Sequence, residues 1–268
     1  MPGISPLSTP AKPDPVTARL ATQIRKTMVN AMADYNMIVQ GDRVLAAVSG
    51  GKDSTTMVLL LEEIRKRANF HFTVDALLID QKQPWFAPEA YLAWMKARGQ
   101  VIHLLREDIF NIAVEQTPPG KSLCRICSRL RRGVLYTYAR KHGYTKIALG
   151  HHRDDLNETL LLNLFFAGHI ASMPPKLLSD DGDNVVIRPM CYVAERQIID
   201  YRDRMAMPVM TCDSCASHHA SAKRQKLKNM LQDLEMAHPG IGSSLLTAMK
   251  EIRPSQLLDK TLFDFNQF

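Results

Sequence analysis

The chain has 268 residues, 46% hydrophobic and 23% charged, with a formal net charge of +7. This balance excludes collagen-like, coiled-coil and largely disordered chains, and the length allows a sizeable core. No run reaches 18 apolar residues, so no membrane span is expected, and the positive excess favours polyanionic partners.

Residues 1–16 are rich in proline and small residues and lack the apolar stretch of a secretory signal, so they read as a disordered leader. Thr17 to Asn36 is expected to be a helix, because Leu20, Ile24, Met28 and Met32 recur every four residues. Arg43 to Val48 reads as a short buried strand running into Ser49-Gly-Gly-Lys-Asp-Ser54. The helix after it carries Met57, Leu60, Leu61 and Ile64 on one face. Strands follow at Phe72 to Ile79 and Val101 to Leu105. Cys124 to Lys141 has helical spacing, with Leu123, Ile126, Leu130, Val134 and Tyr138 on one side. A fourth strand, Lys146 to Leu149, ends in Gly150-His-His-Arg-Asp-Asp155 and a helix to Ala167. Val185 to Pro189 and Glu195 to Met205 are the fifth strand and its helix. Lys223 to Glu235 reads as an amphipathic helix with Leu227, Met230, Leu231 and Leu234 inward.

Strands alternating with helices imply an α/β fold with a five-stranded, parallel, doubly wound sheet over 17–210. Residues 211–268 read as a small helical appendage. In such sheets ligands bind beyond the carboxyl ends of the strands, where both Ser49–Ser54 and Gly150–Asp155 fall.

The Ser49–Ser54 string suits an anion. Gly50 and Gly51 allow a tight turn that gathers several N–H groups, and the helix N-terminus adds partial positive charge. Lys52 adds a full charge, and Ser49 and Ser54 add hydroxyls. A Walker A loop would need glycine at 46 and Ser or Thr at 53, where the chain has Ala46 and Asp53.

The five cysteines are Cys124, Cys127, Cys191, Cys212 and Cys215, four of them in two C-x-x-C pairs. Without a signal segment, such pairs point to the cytoplasm and to metal or redox chemistry rather than disulfides. Cys124 and Cys127 share one helix face, at an N-terminus flanked by Arg125 and Arg131 that favours the metal-ligating thiolate. The pairs stand 84 residues apart, so a shared site would close two distant segments. Structural zinc, an iron–sulfur cluster and persulfide-carrying thiols all fit, with zinc first on spacing alone. Cys191 stands alone and reads as a core residue.

Basic residues cluster at Lys121, Arg125, Arg129, Arg131 and Arg132, and again at Lys223, Arg224, Lys226 and Lys228. Such faces are often merely solvated, but two of them on a +7 chain lean towards a phosphate backbone. Trp85, Phe86 and Tyr136 are either base-stacking platforms or core.

The Ser49-Gly-Gly-Lys-Asp-Ser54 string resembles the PP-loop of the ATP-pyrophosphatase superfamily, whose fold is adenine nucleotide alpha hydrolase-like. More of the chain is similar to the tRNA 2-thiocytidine synthetases, also called tRNA-cytidine(32) 2-sulfurtransferases. The matching strings include Tyr35-Asn-Met-Ile38, Asp80-Gln-Lys-Gln-Pro84, Cys124-Arg-Ile-Cys-Ser-Arg-Leu-Arg-Arg-Gly133 and Lys146-Ile-Ala-Leu-Gly-His-His-Arg-Asp-Asp155. Met173-Pro-Pro-Lys-Leu177, Ser179-Asp-Asp-Gly182, Ile187-Arg-Pro189 and Leu262-Phe-Asp-Phe265 continue the match.

The resemblance implies ATP-dependent thiolation of cytidine 32 in tRNA through an adenylated intermediate. It implies ATP at Ser49, Gly50, Gly51, Lys52, Asp53, Ser54 and Gly150, with Lys52 and Asp53 catalytic. Asp53 would either ligate Mg²⁺ or simply favour the helix dipole. Asp154 or Asp155 would lie near Mg²⁺ and His151 or His152 near the reacting phosphate, or else Asp154 caps its helix and the histidines are solvated. Asp80 could contact the nucleotide, or cap its strand. The resemblance further implies a [4Fe–4S] cluster on Cys124, Cys127 and Cys215, with Cys212 the alternative third ligand. Sulfur would come from a cysteine desulfurase, and a homodimer is left open. The competing readings are a zinc-stabilised RNA-binding protein and another PP-loop adenylating ligase.

Overall fold

The computed structural model describes residues 13–118, 120–210 and 220–267. The first helix, α1 (Pro15–Asp34), starts two residues earlier than expected. Asp14 caps it, accepting from the N–H groups of Val16 (2.9 Å) and Thr17 (3.2 Å), and Pro15 needs no donor partner at the first helical position.

Six strands form one sheet in the order β3-β2-β1-β4-β6-β5. They are β1 (Arg43–Val48), β2 (Thr73–Asp80), β3 (Ile102–Arg106), β4 (Lys146–Ala148), β5 (Lys176–Leu178) and β6 (Val185–Ile187). All pairs are parallel except β5 with β6. The sheet therefore has one strand more than expected. Three-residue β5 is too short for a periodic signal, and its pairing depends on a hairpin. Gly182 turns that hairpin at φ +76°, and the Ser179 N–H donates to the Asn184 carbonyl at 2.8 Å.

The remaining helices are α2 (Lys52–Arg67), α3 (Glu89–Ala97), α4 (Ile109–Gln116), α5 (Cys124–Lys141), α6 (Arg153–Phe166), α7 (Glu195–Arg204), α8 (Ala220–Ala237) and α9 (Ile241–Lys250). Strand alternation divides the interior in two. Val44, Ala46, Ala76, Leu78, Ala148 and Ile187 face Ile24 and Met28 of α1, Met57, Leu60 and Leu61 of α2, and Ile198 of α7. Leu45, Leu77, Ile79, Ile147 and Val186 face Ile109 of α4 and Leu135 and Ala139 of α5. A parallel sheet covered on both faces needs strands apolar on both sides, which β1 and β2 are.

Two consequences place the site. The strand order reverses between β1 and β4, which opens a crevice beyond their carboxyl ends. The loop after β1 and the Gly150 turn after β4 line it. In addition, α5 runs into β4 through a short turn and packs on the sheet, so its first turn, with Cys124 and Cys127, lies at that same carboxyl edge.

The C-terminal helices α8 and α9 pack on α6 and on each other. Leu227 is buried as expected, whereas Leu234 is 38% exposed and not part of the inward face. Cys212 and Cys215 lie outside the described residues, as does most of the 1–16 leader. Cys191 is fully buried in the main core, and burial pushes its thiol up to about 12. No helix among the described residues is long and apolar enough to cross a membrane.

Candidate active site

The loop after β1 is held in shape by its own side chains. Ser54 Oγ accepts from the Ser49 N–H at 3.1 Å and lies 3.1 Å from Ser49 Oγ. Thr55, completely buried, donates to the Gly51 carbonyl at 2.8 Å. Gly50 sits at φ +78°, and its carbonyl accepts the Met210 N–H at 2.9 Å. A Cβ there would strike Met210 Sδ at 2.6 Å. Gly51 caps α2 without any side-chain acceptor, so the first N–H groups of that helix remain for a ligand.

Gly150 brings the second wall close. A Cβ on it would lie 2.9 Å from the Ser54 nitrogen and 3.0 Å from the Ser54 Cα, both backbone atoms. Only glycine lets the end of β4 approach α2 this closely.

Lys52 opens α2 and lies 3.0 Å from Asp53 Oδ1 and 3.0 Å from Glu195 Oε1. Burial works against its charge, but the two carboxylates hold its pKa above the ordinary lysine value. Glu195 begins α7 and also pairs with Lys228 of α8 at 2.7 Å. Burial pushes Glu195 up, yet the Lys228 hydrogen bond and the Lys52 charge more than offset it, leaving a pKa of about 2. Neither Glu195 nor Lys228 carries a local sequence signal for this role, because each comes from a distant segment.

Asp53 Oδ1 is buried and accepts no hydrogen bond, despite Lys52 Nζ nearby and His152 Nε2 at 3.7 Å. A buried carboxylate oxygen that faces an ammonium but accepts no hydrogen bond, beside an anion loop, fits a divalent cation that also takes phosphate oxygens. Among the described residues no group of three or more His, Cys, Asp and Glu side chains forms a metal cage on its own. Mg²⁺ held partly by substrate phosphates needs no such cage.

The turn after β4 is a capping box. His152 Nδ1 accepts from the Asp155 N–H at 3.4 Å, while Asp155 Oδ2 accepts from the His152 N–H at 3.0 Å. Asp154 does not cap its own helix. It accepts the Glu195 N–H at 2.7 Å and so serves the first turn of α7. Asp155 also meets Arg224 at 3.4 Å. His151 Nδ1 accepts from Arg188 Nε at 3.2 Å. Burial, then the Arg188 charge, brings the His151 pKa down to about 4. At neutral pH the ring is therefore uncharged, with Nδ1 as acceptor and Nε2 carrying the proton. Asp80 accepts from the Lys82 N–H at 2.8 Å and lies 3.6 Å from Arg106, which fits its strand-end capping role.

On α5, Cys124 and Cys127 occupy the first turn, both half-buried, and Ser122 Oγ accepts the Cys124 N–H at 3.2 Å. Cys127 packs on the second core cluster. Two thiols on one face of a helix N-terminus suit a thiolate-ligated metal or iron–sulfur cluster, with further ligands supplied from elsewhere in the chain.

The two basic clusters behave differently. Lys121, Arg125, Arg129, Arg131 and Arg132 are exposed. On α8, Arg224 pairs with buried Glu158 at 2.6 Å and Lys228 with Glu195, while Lys223 sits 4.4 Å from the Phe166 ring centroid. Arg224 and Lys228 therefore point inward, and Lys226 is exposed. Trp85 stands edge-on to Phe110 at 37% exposure, whereas Phe86 and Tyr136 pack against the core.

Residues 17–233 match the PP-loop domain family. A tRNA-cytidine(32) 2-sulfurtransferase of Bdellovibrio bacteriovorus is 46% identical over 92% of this chain and 94% of its own. The chain belongs to the tRNA-cytidine(32) 2-sulfurtransferase family of PP-loop proteins. Family members of the same name from Pseudomonas putida and Shewanella amazonensis are 46% and 45% identical over 92% of the chain, covering 90% and 77% of theirs. Among solved structures, the U34-tRNA thiolase NcsA from Methanococcus maripaludis, with its [4Fe–4S] cluster, superimposes with a TM-score of 0.67. The match covers 89% of this chain and 81% of that one at 17% identity, so it bears on the fold. For this family member, the structure brings Ser49, Gly50, Gly51, Lys52, Asp53, Ser54 and Gly150 together, and sets Cys124 and Cys127 on the same sheet edge. Cys215 lies outside the described residues.

Proposed function

We propose that the protein converts cytidine 32 of tRNA to 2-thiocytidine, with ATP cleaved to AMP and pyrophosphate. The observation that carries this reading is the shared sheet edge: a phosphate loop bearing Lys52 and a helix start bearing Cys124 and Cys127. The names of its relatives supply the substrate and position.

The chemistry explains why both belong in one chain. Oxide is a poor leaving group from C2 of a pyrimidine. Attack of the C2 oxygen on the α-phosphorus expels pyrophosphate and leaves an adenylate. A sulfur nucleophile then adds at C2, and AMP departs with the former C2 oxygen. The α2 N-terminus, Ser49 and Ser54 bind the β and γ phosphates, and Lys52 offsets their charge. Asp53 Oδ1 would hold Mg²⁺ together with phosphate oxygens. Cys124, Cys127 and Cys215 would hold a [4Fe–4S] cluster, with Cys212 the alternative to Cys215. When bound, such a cluster supplies an iron with an open coordination position for sulfur. The sulfur would originate as a cysteine desulfurase persulfide, released as hydrosulfide by a thiol reductant. Exposed Arg125, Arg129, Arg131 and Arg132 give the tRNA backbone a counter-surface beside Cys124. Residues 211–268, which include Cys215, form an appendage to the 17–210 domain, in a cytoplasmic enzyme.

Anaerobically purified protein should show iron, acid-labile sulfide and ATP-dependent formation of 2-thiocytidine with equal amounts of AMP. Cys124→Ala, Cys127→Ala and Cys215→Ala should each lose iron and thiolation, while Cys191→Ala keeps both. Zinc without iron, bound in a Cys212-dependent way, would overturn the cluster assignment.

A further inference from the structure

Glu195 is placed unusually for a carboxylate beside a triphosphate site. It is 8% exposed, lies 3.0 Å from the ammonium of Lys52, and is 2.7 Å from the ammonium of Lys228. Its position is fixed from behind, because Asp154 accepts its backbone N–H at 2.7 Å. Lys228 belongs to α8, which is otherwise clamped to the β4 side of the site by Arg224 on Glu158 and Asp155. One buried carboxylate is thus shared between the phosphate-binding lysine and a helix from the far end of the chain.

We infer that Glu195 and Lys228 are positioning residues that set the availability of Lys52 to ATP and couple nucleotide binding to the docking of α8. The inference rests on the loop being the ATP site, and its physics is competition for one ammonium. Lys52 is divided between Asp53 and Glu195. An arriving triphosphate draws Lys52 towards itself, and Glu195 loses a cation. Lys228 keeps that carboxylate compensated, so the transfer is not opposed by a buried, unpaired charge. By linkage, if Lys228 favours ATP, then ATP must favour the α8 arrangement in which Lys228 reaches Glu195.

The arrangement predicts opposite signs for two charge-neutralising variants. Glu195→Gln removes the competitor for Lys52 and should tighten binding of a non-hydrolysable ATP analogue with Mg²⁺. Its kcat should fall at the same time, because Lys52 is no longer held in place. Lys228→Gln leaves Glu195 with Lys52 alone and should weaken the same binding by roughly fivefold or more, the scale of ordinary coupling between sites. In the Glu195→Gln background, Lys228→Gln should lose most of its effect.

Calorimetric titration of the four full-length proteins, each checked for an unchanged cooperative melt without nucleotide, reads these signs. Amide exchange across α8 should slow on binding the analogue in the parent protein and not in Glu195→Gln. A purely structural role would weaken binding in both single variants, and that outcome overturns the inference. Additive effects in the double variant, or α8 exchange indifferent to the analogue, overturn it too. Lys52→Ala in the same titration separates the premises: unchanged analogue binding there removes the ATP-site reading itself.

Discussion

In the proposed function Lys52 carries the phosphate chemistry, and it is remote in sequence from the thiols. Lys52→Ala should abolish ATP cleavage and thiolation while iron content stays intact, as assayed by AMP release and iron analysis of the same sample. Normal thiolation by that variant would refute the loop assignment. Gly150 makes a different kind of demand, since the Cβ of alanine would lie 2.9 Å from a backbone nitrogen at the start of α2. Backbone cannot give way as a flexible side chain can. Gly150→Ala should therefore destabilise the protein by about 1–3 kcal/mol through overpacking and weaken ATP binding, read by denaturant unfolding and by titration. Gly50→Ala meets the flexible Met210 side chain instead, but it also forces a side chain into a left-handed backbone at φ +78°.

At the scale of elements, helix α5 and helix α8 separate two roles that look alike in sequence. Both carry four or more basic residues, but α5 shows them to solvent, whereas α8 turns Arg224 and Lys228 inward onto Glu158 and Glu195. Reversing charge at Arg129 and Arg132 together should lower affinity for all tRNAs alike and flatten the salt dependence, measured by binding across a salt series. Arg224→Ala should instead lower stability by roughly 1–3 kcal/mol, because buried Glu158 loses its charged donor. The sequence could not separate these helices, since partner identity is set by the fold. The same reason limits the rest. β1, α2 and α5 were legible because long apolar periods and a glycine loop mark them locally. Short α3, α4 and α9 were not, and α9 contains Gly242, Ser243 and Ser244, poor helix formers held in place by packing on α6. β5 was marked only by the Asp181-Gly182 turn, a hairpin signal too weak to stand without β6 as partner. The phosphate loop and the first cysteine pair were readable as motifs, but Glu195, Lys228 and Arg188 reach the crevice from three separate segments and share no spacing.

For the whole molecule, the buried ionisable groups around the crevice make stability depend on pH in a defined direction. His151 is held near 4, below its ordinary 6.5, by burial and by Arg188. Between those values the unfolded chain binds a proton that the folded protein refuses, so stability falls as pH falls through this window. The slope from one such group is at most about 1.4 kcal/mol per pH unit. Glu195, depressed to about 2, adds a similar loss only below the ordinary glutamate range, near 4.5. Glu158 works the other way, since burial raises its pKa and protonation relieves a penalty. Measurements between pH 5 and 6.5 lie above the ordinary carboxylate range and emphasise the histidine. His151→Asn keeps an acceptor oxygen for Arg188 Nε but cannot be protonated. Urea unfolding of the parent should lose stability across that interval more steeply than the variant, by a difference approaching one proton per molecule. Equal slopes would mean that His151 is not held neutral in the folded protein, and that its Nδ1 does not serve Arg188 in solution.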